Sequence, residues 1–200
     1  MIYNIFIYVC MAYTIFSLIR TGDFKKLASS ATLKIFLLNI CCFIITLGGH
    51  LFARNFANNF TYTIGRLQIY RLFTSLFYHY GFQHIFCNMI TLIVLGLAIE
   101  TAYGKKKFIA LYFSTGIIGN LISIIIHGIL HDNVLSAGAS SAICGLIGYI
   151  IAGNLKKFKP NVVIMLIAPI FVIGIINGNV DNISHISAAL IGVILGLIGI

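Results

Sequence analysis

Four side chains in this sequence are of types that together can transfer an acyl group. Ser140 stands behind Gly138 and Ala139 in the stretch GASSAICGLIGYII, where a short polar connector gives way to a long apolar run. A serine hydroxyl is a weak nucleophile until a base within hydrogen-bond reach takes its proton. His185, in VDNISHISAALIG, is the best-placed base. His84 and Asn88 in HIFCN are i and i+4, so they share a helix face. With the backbone N–H of Ser140, at a helix start where amide donors are free and the dipole is positive, they can donate to a developing oxyanion. Serine is also among the best helix N-caps, and on GASS alone the cap is the simpler reading. A carboxylate to orient the imidazole, as in a triad, is not evident, because Asp181 lies one turn before His185 and reads as the N-cap of the last helix. A Ser-His dyad is expected.

The elements that must position these groups are membrane helices. The chain of 200 residues is 60% hydrophobic and 8% charged, with a mean hydropathy of +1.05, and cannot assemble a soluble surface. Backbone in lipid must satisfy its own hydrogen bonds, and the apolar runs are long and glycine-punctuated, which favours helices over a barrel. The expected class is all-α, a polytopic bundle. A net charge of +9 raises the question of nucleic acid, but the basic residues lie at the edges of apolar runs, where topology explains them. Five cysteines, all inside apolar segments and without a CxxC pair, read as small hydrophobes.

Apolar runs cover residues 2–19, 33–52, 84–102, 108–130, 140–154, 162–176 and 183–200. Residues 1–32 would form an N-terminal helix with a basic cytoplasmic connector, and 33–200 a six-helix core. The stretch 54–82, rich in tyrosine and carrying Arg54, Arg66 and Arg71, fits an amphipathic loop at the interface. The connectors at 20–34, 105–107 and 156–159 hold ten of the thirteen Lys and Arg residues. By the positive-inside rule they are cytoplasmic, which places the N-terminus outside and the C-terminus inside.

That topology sets His84 with Asn88, Ser140, and His185 near one leaflet, on three different crossings. Intramembrane polar residues are costly unless paired; one alone is commonly interhelical glue, whereas three at one depth favour chemistry. The dyad closes only if the fifth and seventh crossings nearly touch. Small-residue stripes permit it: Ser141, Gly145, Gly148 and Ala152 on one, His185, Ala189, Gly192 and Gly196 on the other.

In these motifs the chain resembles the rhomboid family of intramembrane serine proteases, over roughly 33–200. GASSAICGL is similar to the family's Gly-x-Ser box and maps the nucleophile to Ser140, behind Gly138. HIFCN looks like its histidine and asparagine, His84 and Asn88, which assist the oxyanion. VDNISHISAALIG holds the base, His185. YRLFTSLFYHYGF, with Arg71, and GLAIETAYGKKKF, with Glu100, resemble flanking structural segments, and Glu100 is expected to bond loop donors. The chain departs from the pattern at Ser141, where the family commonly has glycine; this adds bulk beside the oxyanion pocket and a rival hydroxyl. Tyr70 also stands where tryptophan often precedes the arginine.

The resemblance implies a serine endopeptidase that cuts single-pass transmembrane proteins near the outer leaflet, in contact with membrane lipid. It requires no metal, cofactor or nucleic acid. A multi-pass protein of a cell membrane, the bacterial plasma membrane, is the expected setting. Other protease chemistries fit poorly: HExxH is absent, His127 and His131 read as a polar cap near Asp132, and Glu100 is the sole acid near a span interior. A rhomboid-like protein that binds and escorts membrane clients without cutting them is the alternative.

Overall fold

The computed structural model describes residues 28–46, 55–152 and 180–199. Five long helices occur among them: α1 (Ala31–Thr46), α2 (Phe82–Tyr103), α3 (Lys105–Ile129), α4 (Ser140–Ile151) and α5 (Asn182–Leu197). The described residues form no strand, only one antiparallel pair of backbone bonds between Asn58 and Ser136, each 2.8 Å. The all-α expectation matches this architecture. The expected runs at 2–19 and 162–176 lie outside the described residues.

At about 1.5 Å per residue, α2 and α3 reach roughly 33 and 38 Å, enough to cross a hydrocarbon core of about 30 Å. Both are apolar enough to do so. The other three are shorter apolar helices. α4 is the centre of the molecule and is buried at every residue from Ser140 to Ile150. A helix wrapped in protein need not match the bilayer, and the irregular connector 131–139 can descend to meet it because it lies against protein and lines a cavity.

α1 presents Ala31, Ile35, Asn39 and Phe43 to the core, a stripe at four-residue spacing. It lies on α2 where Gly96 leaves room: a Cβ there would sit 2.7 Å from the Thr32 methyl. Glu100 of α2 caps this helix, accepting from the N–H groups of Ala31 and Thr32 and from the Thr32 hydroxyl, each at 2.9 Å. Free amides at a helix start are what a carboxylate satisfies best, so the loop donors expected for Glu100 are the first turn of a neighbouring helix.

α4 and α5 pack along the two small-residue stripes. A Cβ on Gly148 would strike the Ala189 carbonyl, and one on Gly192 the Gly145 carbonyl. Backbone thus lies against backbone, as van der Waals association of membrane helices requires. On the other side of α4, Gly145 faces Thr115 of α3.

The stretch before α2 is built from short turns, including Thr61–Gly65, Arg71–Thr74 and Ser75–Phe77. Arg71, expected at an interfacial loop, is 2% exposed. Its guanidinium donates to the Ala57 carbonyl at 2.7 Å and to Gln68 Oε1 at 2.6 Å, and lies 4.6 Å from the centre of the Tyr62 ring. A buried charge is tolerable with such partners, and here it pins the turns together.

Candidate active site

Ser140 opens α4 and His185 lies in the first turn of α5. The close approach of the two stripes brings their side chains together: His185 Nε2 is 2.7 Å from Ser140 Oγ. Both residues are buried. A hydroxyl at that distance donates to the ring nitrogen if the other nitrogen holds the proton, the arrangement in which imidazole can accept a proton from serine.

His84 and Asn88 of α2 face the same point. Gly138 adopts φ 123°, a conformation that a side chain would strain. A Cβ there would also lie 2.8 Å from the His84 ring and 3.4 Å from Asn88 Nδ2. Glycine therefore lets the connector pass directly over both side chains before it enters α4. Asn88 Nδ2 is buried with no hydrogen-bond partner among the described residues. An unpaired buried amide is costly, and one lining the same cavity as Ser140 is placed to donate to charge that forms there.

The connector is held by backbone bonds from Gly138 N–H to the Ser75 carbonyl, 2.8 Å, and from Ala139 N–H to His79 Nε2, 3.4 Å. His79, between the Ser75–Phe77 turn and α2, was not singled out from the sequence. Burial, then the neighbouring His84 ring, pushes its imidazole down to about 3, so it is neutral at ordinary pH. Its Nδ1 faces the Phe77 carbonyl at 3.4 Å, so the ring donates on one side and accepts on the other.

The Ser141 hydroxyl is engaged away from His185. Its hydroxyl lies 3.3 Å from the Gly116 carbonyl and accepts from Ser184 Oγ at 2.9 Å. Ser184 also lies 2.8 Å from Asn120 Oδ1, in a polar seam between α3, α4 and α5. Asp181 caps α5 as expected, accepting from Ser184 N–H at 2.9 Å. It also takes the Ser123 hydroxyl and meets His127 Nε2 at 3.3 Å. Among the described residues no carboxylate bonds the His185 ring, which keeps the arrangement a pair. His127, expected as part of a polar cap, is buried between Asp132 and Asp181.

A cavity of about 1080 Å³ opens over the pair, lined by Tyr80, His84, Asn88, Ser140, His185 and the connector at Leu135. Arg71 and Glu100 stand apart from it, in the turns and at the base of α1.

Residues 66–200 match the family model described as the rhomboid domain. Rhomboid-like protease 1 of Toxoplasma gondii is 30% identical over 154 residues, 72% of this chain and 52% of that protein. Rhomboid protease GluP of Bacillus subtilis (strain 168) is 32% identical over 136 residues, 64% of this chain and 26% of that protein. Inactive RHOMBOID-like protein 8 of Arabidopsis thaliana is 32% identical over 111 residues, 55% and 30% of the two chains. The chain thus spans about half the length of these relatives or less. On these matches, and with its helices of membrane-crossing length, the chain belongs to the rhomboid family of integral membrane proteins.

Proposed function

We propose that this protein is an intramembrane serine endopeptidase working through a Ser140-His185 dyad. The observation that carries the reading is the 2.7 Å contact between Ser140 Oγ and His185 Nε2, with the Asn88 amide lining the same cavity and unpaired among the described residues. His185 takes the hydroxyl proton as Ser140 Oγ attacks the scissile carbonyl carbon. The oxyanion that forms accepts from Asn88 Nδ2–H, from His84 and from the backbone N–H of Ser140. His185 then gives its proton to the leaving amine, and water entering the cavity hydrolyses the acyl enzyme by the same steps in reverse order.

The substrate class we propose is single-pass transmembrane proteins, presented from the surrounding lipid and cut at the end of the bundle where α2, α4 and α5 begin. The lysine-rich connectors argue that this end faces outward, with the N-terminus outside and the C-terminus cytoplasmic. No step in this chemistry calls for a metal or cofactor.

The test is cleavage of a transmembrane substrate by the purified protein in detergent, with Ser140→Ala, His185→Ala and Ser141→Ala as variants. The first two are expected to lose cleavage and the third to keep it. Undiminished cleavage by Ser140→Ala contradicts the mechanism. Binding of the substrate by the wild type without any cleavage replaces it with the escort reading.

A further inference from the structure

His127 is in the last turn of α3, a helix that carries neither member of the dyad. Its ring is buried, and each nitrogen faces a carboxylate oxygen: Nδ1 lies 3.1 Å from Asp132 Oδ2 and Nε2 lies 3.3 Å from Asp181 Oδ1. Asp132 and Asp181 are two of the four acids in the chain, and the other two are Asp23 and Glu100. Half of a scarce residue class therefore meets on one imidazole beside the site. Interhelical glue needs one such contact, and this ring makes two, to segments far apart in sequence.

Asp181 is the N-cap of α5, one turn before His185, and the Asp181 carbonyl accepts the His185 N–H at 3.3 Å. Its carboxylate is occupied by Ser123 Oγ, Ser184 N–H and His127, so it does not turn to the His185 ring. What it fixes is the place where α5 begins. Asp132 starts the connector that runs to Ser140, and its own N–H closes onto the His127 carbonyl at 2.9 Å.

We propose, on the reading that Ser140 and His185 form the dyad, that His127 is its positioning residue. Its grip on Asp181 sets the start of α5, and with it the His185 ring. Its grip on Asp132 anchors the connector that delivers Ser140. Displacements well under the length of a bond suffice to matter, since a catalytic pair misplaced by about 1 Å loses on the order of a hundredfold in rate.

The test uses the full chain in detergent and reads the rate at which a small fluorophosphonate phosphonylates Ser140 with loss of fluoride, beside kcat and KM on a transmembrane substrate. His127→Leu, which fills the space without bonding, is expected to lower the phosphonylation rate and kcat by the same factor, about tenfold, with KM unchanged. His127→Gln, which can still donate to Asp181, is expected to recover most of the rate. Adding Asp132→Asn to His127→Leu is expected to cost nothing further, because the two side chains act as one unit. Phosphonylation of His127→Leu at the wild-type rate, a change confined to KM, or additive losses in the double variant overturns the proposal. Should His127→Leu fail to fold, Asp132→Asn carries the test alone, since that side chain is 49% exposed. A several-fold loss of kcat at unchanged KM supports the positioning role, and an unchanged kcat overturns it. Failure of the dyad itself shows differently, as a wild-type protein that the fluorophosphonate does not label at Ser140.

Discussion

A buried side chain amide with nothing to bond among the described residues is the most informative single residue in this molecule. Asn88 Nδ2 lies next to Gly138 and opens on the cavity that holds Ser140. Asn88→Ala is expected to lower kcat on a transmembrane substrate by about 10²- to 10³-fold, the cost of one oxyanion donor, with the protein still folded. A loss of stability without a fall in kcat contradicts that role. His79 acts on the same connector from a different direction. Its folded value of about 3 lies below the unfolded 6.5, so the unfolded chain binds the extra proton between those values. Its contribution is complete above pH 6.5 and shrinks as pH falls, by up to about 1.4 kcal/mol per pH unit. His79→Gln is therefore expected to narrow the difference in Tm between pH 7 and pH 5, and an unaltered difference contradicts it. Ser140, His185, His84 and Asn88 were candidates in the sequence because they fall near one leaflet on three crossings and in motifs similar to one family's. His79 was not, because its partner Ala139 is sixty residues away and no spacing rule connects them. Ser141 was singled out in the sequence, but its partners were not: its hydroxyl is satisfied by Gly116 and Ser184 on other helices.

At the scale of elements, the contact between Ser140 and His185 forms because α4 and α5 meet along backbone. The glycine and alanine stripes permitted that meeting in the sequence, since small residues at that spacing let two backbones approach closely. Gly192→Val drives two methyls and a Cβ into the Gly145 carbonyl. It is expected to cost about 3 kcal/mol or more and to abolish labelling of Ser140. Gly81→Ala, where nothing lies within 4 Å, is the control and is expected to change neither. Equal behaviour of the two variants contradicts the packing account. What periodicity did not reveal was the capping of α1 by Glu100, sixty-nine residues from Ala31. Nor did it place Arg71 inside the turns before α2, where three specific partners make its burial tolerable. Helix boundaries shifted by a few residues for a related reason. Hydropathy marks where lipid contact is tolerable, whereas caps such as Asp181 and breaks such as Gly104 mark where a helix begins and ends.

For the whole molecule, membrane class and helical architecture followed from composition alone, because backbone in lipid has few solutions. Orientation rests on the lysine-rich connectors and is open to direct measurement. His131 is exposed in the connector before Ser140, and Lys106 is exposed at the start of α3 on the opposite end. In intact cells, His131→Cys is expected to react with a membrane-impermeant maleimide and Lys106→Cys only after permeabilisation. The reverse pattern turns the molecule over and moves the site to the cytoplasmic face. The cavity over the pair matters at this scale as well. Hydrolysis below a membrane surface needs water beside a buried nucleophile, and a space of about 1080 Å³ lined by the connector and three helix starts provides room for it.

The most direct measurement is the site of fluorophosphonate attachment, mapped by mass spectrometry on the intact membrane protein. The adduct is expected on Ser140 in the wild type and in Ser141→Ala, and to be absent from His185→Ala, since an alcohol without its base does not react. An adduct on Ser141, or full labelling of Ser140 in the absence of the His185 imidazole, contradicts the dyad.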